Sequence, residues 1–175
     1  SNARDWFAKC RDVLRPLDER HLLVGEFANT LADVQKQMAS CQQEEKAVAN
    51  LSFVFEQKPD AVGGLLDLRV RALLHHKKTG EAIRTAECWR DWATTLDKDR
   101  DAQRDGAACA LALCAGASRQ KDVLVSKSVA VLATIRDSDY FADANKLAQF
   151  EKDADFAAVR AHPTFAAFVQ TLKSK

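Results

Sequence analysis

The sequence predicts an all-α protein, and three observations carry that reading. Alanine, the strongest helix former, takes 30 of 175 positions, against 6 glycines, 3 prolines and a single tyrosine. Glycine and proline therefore interrupt the chain rarely, and between them the apolar residues recur at steps of three and four, the period of a helix face. Hydrophobic residues make up 47% of the chain, enough to fill a sizeable core.

The first helix is expected over about Asp5 to Leu14, with Trp6, Cys10 and Leu14 on one face and Pro16 closing it. Asp18 is placed to cap a second helix, along which Leu23, Phe27, Leu31, Val34 and Met38 form a stripe. A break near Ser40, Cys41 and Gln42 is expected to fold the chain back into a second arm over 43–57. Without it, one helix to Gln57 would approach about 60 Å with nothing to pack its ends. Pro59 stops that arm. A third helix over 60–78 is apolar on much of its circumference, Thr79 and Gly80 turn the chain, and a fourth over 81–96 carries Ala82, Ala86, Trp89 and Ala93 inward. Asp97 to Arg104 reads as a charged linker plus a first turn. The small residues from Gly106 to Ala115 mark a central helix that lets its neighbours come close, and another follows over 120–136. The tail from Ala142 reads as short helices docked by Phe150, Phe156, Phe165 and Phe168.

Helix pairs recurring every thirty-four to forty residues are the pattern of an α-solenoid, in which no pair buries its faces alone. The expected hairpins cover 18–58, 60–96 and 99–136, with a helical cap over 142–173, in one domain spanning 4–175. Leu31, Val34 and Met38, then Ala47, Leu51 and Val54, then Pro59, fall at tetratricopeptide spacings, with Gln42 where that motif has glycine. From Gly80 to Phe168 the chain resembles something narrower, the C-terminal tetratricopeptide-like region of bacterial serine/threonine protein kinases of the planctomycete type. The residues that carry this are Gly80-Glu81-Ala82, Ala86-Glu87, the run from Ala107 to Ala115, and the ending Asp153-Ala154-Asp155-Phe156 with Val159, Arg160, Pro163 and Phe165. The resemblance covers about half the chain and implies a repeat module appended to a kinase, not a kinase.

The ends and the charge narrow the setting. Ser1, Asn2 and Ala3 read as the scar of a cleaved expression tag, and Arg4 stands where a native start would carry methionine, so a piece of a longer chain is expected. No run approaches the roughly eighteen apolar residues of a membrane span, and no membrane contact is expected. Lysine plus arginine number 26 and aspartate plus glutamate 25, which leaves no field to attract nucleic acid. Cys10, Cys41, Cys88, Cys109 and Cys114 are odd in number and widely spaced. They point to a reducing, cytoplasmic compartment and to service as small core residues.

No chemistry-bearing motif emerges. The glycine-rich loop, strand lysine and aspartate-phenylalanine-glycine of a kinase are missing, as are Walker and dinucleotide loops, so no catalytic residue and no cofactor is expected. The adjacent His75 and His76 diverge by about a hundred degrees on a helix, and Cys109 and Cys114 are five apart, so neither pair offers metal-ligand spacing and no metal is expected. What remains is positive charge near the end of the third helix. Arg71, His75 and Lys78 are the candidate binding residues, suited to an acidic peptide or a terminal carboxylate, while Asp67 can pair with Arg71 four residues on. The expected function is non-catalytic protein binding, with a peptide, another protein or the kinase domain of the same chain as partner. Homodimerisation through apolar surface near the N-terminal helix, and a small-molecule sensor pocket near Trp89 and Trp92, are the alternatives.

Overall fold

A computed structural model describes residues 3–97 and 101–174. Every regular element among them is helical: α1 (Ala3–Glu19), α2 (Thr30–Ala49), α3 (Leu51–Phe55), α4 (Pro59–His75), α5 (Thr79–Thr95), α6 (Asp101–Gly116), α7 (Lys121–Ile135), α8 (Ala144–Lys152) and α9 (Pro163–Lys173), with 3-10 turns at Gly25–Phe27, Asp139–Phe141 and Ala154–Phe156. The chain divides into two compact units, Ser1–Phe53 and Val54–Lys175, where the sequence suggested one domain. Of the suspected tag residues, Ser1 and Asn2 lie outside the described residues and Ala3 opens α1. The middle of the charged linker, 98–100, also lies outside them.

In the first unit α1 packs on α2, and Arg4 donates to Glu45 at 3.0 Å. The hairpin is not the expected one. Pro16 does not end α1, because its fixed φ suits a helix and only one backbone donor is lost. Closure comes at His21, in the left-handed region at φ 55°, where the Leu22 N–H returns to the Leu17 carbonyl at 2.9 Å. Asp18 is accordingly inside α1 and caps nothing. With residues up to Glu19 already in α1, the long-helix problem disappears, and α2 runs unbroken through Ser40, Cys41 and Gln42, where no glycine or proline stands. The interruption falls instead at Asn50, which leaves the helix and accepts the Ser52 N–H on its side chain at 2.9 Å.

The second unit is built around α6. Nine of its residues are buried, including Ala107, Ala108, Ala110 and Ala112, and it packs against α4, α5, α7 and the 3-10 turn at Ala154–Phe156. Gly106 allows this approach: a Cβ there would stand 2.6 Å from the Trp89 ring of α5. On α4, Val62, Leu65, Leu66, Val70 and Leu73 are buried, and buried Arg69 donates to Thr85 of α5 at 3.2 Å. The turn between them also differs from expectation. Lys77, at φ 58°, ends α4 with the Lys78 N–H on the Leu73 carbonyl at 2.8 Å, while Gly80 sits inside the first turn of α5. Ser128 of α7 donates to the Ala108 carbonyl at 2.8 Å, and Lys127 pairs with Glu87.

The tail closes this unit with rings. Phe150, Phe156, Phe165 and Phe168 form one cluster with Phe141, the Phe150–Phe156 centroids 4.9 Å apart and edge-on. Phe156 is fully buried. Its replacement by alanine should cost about 3–5 kcal/mol of unfolding free energy in urea titrations. Val123→Ala, at a position 53% exposed, should stay within about 0.5 kcal/mol of the native sequence.

Candidate functional site

Of the three residues singled out by charge, Arg71 and His75 lie on α4 and Lys78 at the N-cap of α5, and the structure separates their roles. The Arg71 Nε donates to both carboxylate oxygens of Asp67 at 2.9 Å, the pair anticipated from their spacing. Its Nη1 and Nη2 donate to Oδ1 and Oδ2 of Asp155 at 3.1 and 2.6 Å, a two-pronged match of guanidinium to carboxylate. Asp155 is itself held in place. The Asp153 side chain accepts the Asp155 N–H at 2.9 Å, and Arg160 donates to the Asp153 carbonyl at 2.7 Å. Hydrogen bonds to two carboxylates push the Arg71 pKa above its already high ordinary value. The guanidinium is therefore engaged with acids of its own chain, fastening the C-terminal segment to α4.

His75 and Lys78 remain at the α4–α5 turn, and both are exposed. The His75 ring stands edge-on to His76 with centroids 5.2 Å apart, and Lys78 Nζ lies 3.7 Å from Glu81. An exposed pair of that length contributes little, so the Lys78 ammonium can exchange partners readily.

Behind Arg71, the Cys109 sulphur of α6 and carboxylate oxygens of Asp153 and Asp155 lie within 4.8 Å of one another. Burial, and then the carboxylates of Asp105, Asp153 and Asp155, push the Cys109 thiol well above its ordinary range. The thiolate is the form that attacks or ligates, and Asp155 already accepts Arg71, so this grouping is suited to packing and pairing. Burial likewise pushes the Cys114 thiol up to about 12.

Tyr140 joins this network by donating to Asp105 Oδ2 at 2.8 Å, and Asp105 Oδ1 is buried without a hydrogen-bond partner. Tyr140 also borders an open groove of about 900 Å³ with Thr94, Arg104, Ser138 and Lys146. The two cations of the groove meet local partners: Arg104 donates to Asp101 at 2.7 Å and to the Leu96 carbonyl at 2.6 Å, and the Lys146 ammonium lies 4.8 Å from the Tyr140 ring centroid. Trp89 and Trp92, near which the sensor-pocket alternative is placed, are not among the residues lining this groove. Trp89 is packed over Gly106 at 4% exposure, and Trp92 stands edge-on to Phe55.

Burial raises the Asp105 pKa against the opposing Tyr140 hydrogen bond. A carboxyl raised above its unfolded value contributes its full stability below the ordinary carboxylate pKa of about 3.9, and that contribution is lost as the pH climbs through the raised folded value. Asp105→Asn removes this dependence. The variant should therefore gain on the native sequence in urea titrations as the pH rises above the ordinary carboxylate range, whereas a constant difference would contradict the assignment. Comparison with protein-family models, with curated proteins and with solved structures finds no match to this chain.

Proposed function

We propose that this chain is a non-catalytic protein-binding module, built from stacked helical hairpins in the manner of tetratricopeptide repeats and resembling the region appended to bacterial serine/threonine kinases. The observation that carries the reading is the packing of α6. It touches its own hairpin partner α7, the preceding α5, and also α4, so the opening helices of successive pairs lie against each other, which is the contact that repeat stacking requires. The ending that motivated the resemblance has a physical task consistent with it. Asp153 and Asp155 anchor the last turn to α4, and Phe156 fills the space beneath.

The proposed partner is an acidic peptide or an acidic surface of another domain, the kinase domain of the same chain among them. It meets the exposed His75, the last residue of α4, and Lys78, at the N-cap of α5, whose weak pair with Glu81 can give way to a partner's carboxylate. Arg71 supports that surface from below instead of contacting the ligand. The proposed setting is reducing and cytoplasmic, where the five cysteines serve as free thiols, two of them buried in α6. No helix among the described residues is long and apolar enough to cross a membrane.

An array of acidic and basic dodecapeptides tests the proposal. The chain should retain acidic peptides preferentially, and His75→Glu combined with Lys78→Glu should weaken that retention about tenfold or more, with the helical circular dichroism unchanged. Equal retention by both chains would remove this face.

A further inference from the structure

The turn that joins α4 to α5 carries two histidines side by side, His75 as the last residue of α4 and His76 as its C-cap, and both are exposed. Their rings stand edge-on with centroids 5.2 Å apart, so the acids of one short segment can reach both. Lys77, in the left-handed region at φ 58°, sets the turn that follows them. Histidine is the side chain that changes charge between about pH 5 and about pH 8, and the last turn of a helix favours a cation.

The surrounding charges decide what a proton on these rings can meet. On α4, Arg71 holds Asp67 at 2.9 Å and, from the C-terminal segment, Asp155 at 2.6 Å. On α5, Glu81 lies 3.7 Å from Lys78 and 4.0 Å from Arg69, with Arg84 three residues further on. Lys77 adds another ammonium at the turn, and from Gly106 to Gly116 α6 carries no charged residue. Each of these carboxylates is thus answered by an arginine or a lysine. Among the described residues neither His75 nor His76 forms an ion pair, whereas His162 meets Asp122 of its own chain at 3.1 Å. Positive charge placed on His75 or His76 has no acid of its own chain to answer it, and an acidic partner brings one.

We infer that an acidic partner binding at this turn takes up protons on His75 and His76, so that the contact strengthens as the pH falls and weakens as it rises. This proton linkage rests on the reading of the α4–α5 turn as the surface for an acidic partner, and supplies the regulation of that surface. The complex holds more protons than the free chain, and affinity therefore drops as the pH climbs through the histidine range. Lys78 supplies the attraction that persists when both rings are neutral, and the two imidazoliums supply the part that follows the pH.

A rhodamine-labelled dodecapeptide alternating aspartate and glycine, whose carboxylates stay ionised above about pH 5, is the probe, read by fluorescence anisotropy at constant ionic strength. Its Kd should weaken about tenfold or more between about pH 5.5 and about pH 8. His75→Gln with His76→Gln should bring the two affinities to within about threefold of each other, with helical circular dichroism unchanged, while His162→Gln should keep the full dependence. Lys78→Gln should weaken binding at both ends and preserve their ratio. Calorimetry near about pH 6.5 in PIPES and in ACES, buffers of different ionisation enthalpy, should give unequal heats for the native chain and equal heats for the double glutamine variant. Affinity that ignores the pH, or a dependence that survives the two glutamines, would overturn the proton linkage and leave the acidic-partner surface standing. A peptide that binds at neither pH would remove that surface, and the linkage with it.

Discussion

Close approach between helices is the constraint on which the second unit depends, and α6 provides it. A helix that must touch α4, α5, α7 and the C-terminal 3-10 turn cannot carry large side chains on every face. Alanine and cysteine at 107–110, and again at 112, 114 and 115, bring the neighbours in until dispersion contacts fill the gap, and Gly106 lets the Trp89 ring lie directly on the backbone. The larger side chains come from the other partners: Leu65, Leu66 and Val70 from α4, Leu124, Val125 and Leu132 from α7, and the phenylalanine cluster from the tail.

This packing shapes the electrostatics. Drawing Ala154–Phe156 against α6 brings Asp153 and Asp155 close to Cys109, and their charges are answered from α4 by Arg71 and from the turn itself by backbone donors. Arg71 is thereby committed to holding the structure together. His75 and Lys78 lie beyond its reach, at the α4–α5 turn, where Lys78 pairs loosely with Glu81. Burial that makes the core tight also pushes its two thiols up, toward the protonated form.

Much of this was legible in the sequence where the signal is local. The three-and-four periodicity located α4, α5, α7 and the tail helices, the small-residue run identified the central helix, and the four-residue spacing of Asp67 and Arg71 foretold their pair. What escaped was set by competition or by distance. Pro16 looks like a stop, but one lost hydrogen bond does not end a helix that can close at a left-handed His21. Gly80 looks like the turn residue, yet Lys77 takes the left-handed conformation and Gly80 joins α5. Asp155 lies 84 residues from Arg71, and no periodicity encodes a contact of that length. The ending that contains it stood out as a pattern before its partner was visible.

Native-state hydrogen exchange tests most directly the claim that packing on α6 holds the second unit together, whereas α1, with no buried residue, is held least among the long helices. The account predicts that the backbone amides of 107–115 exchange slowest of all, only through global unfolding, and that those of α1 exchange fastest among the long helices. Protection on α1 equal to that on α6 would contradict it.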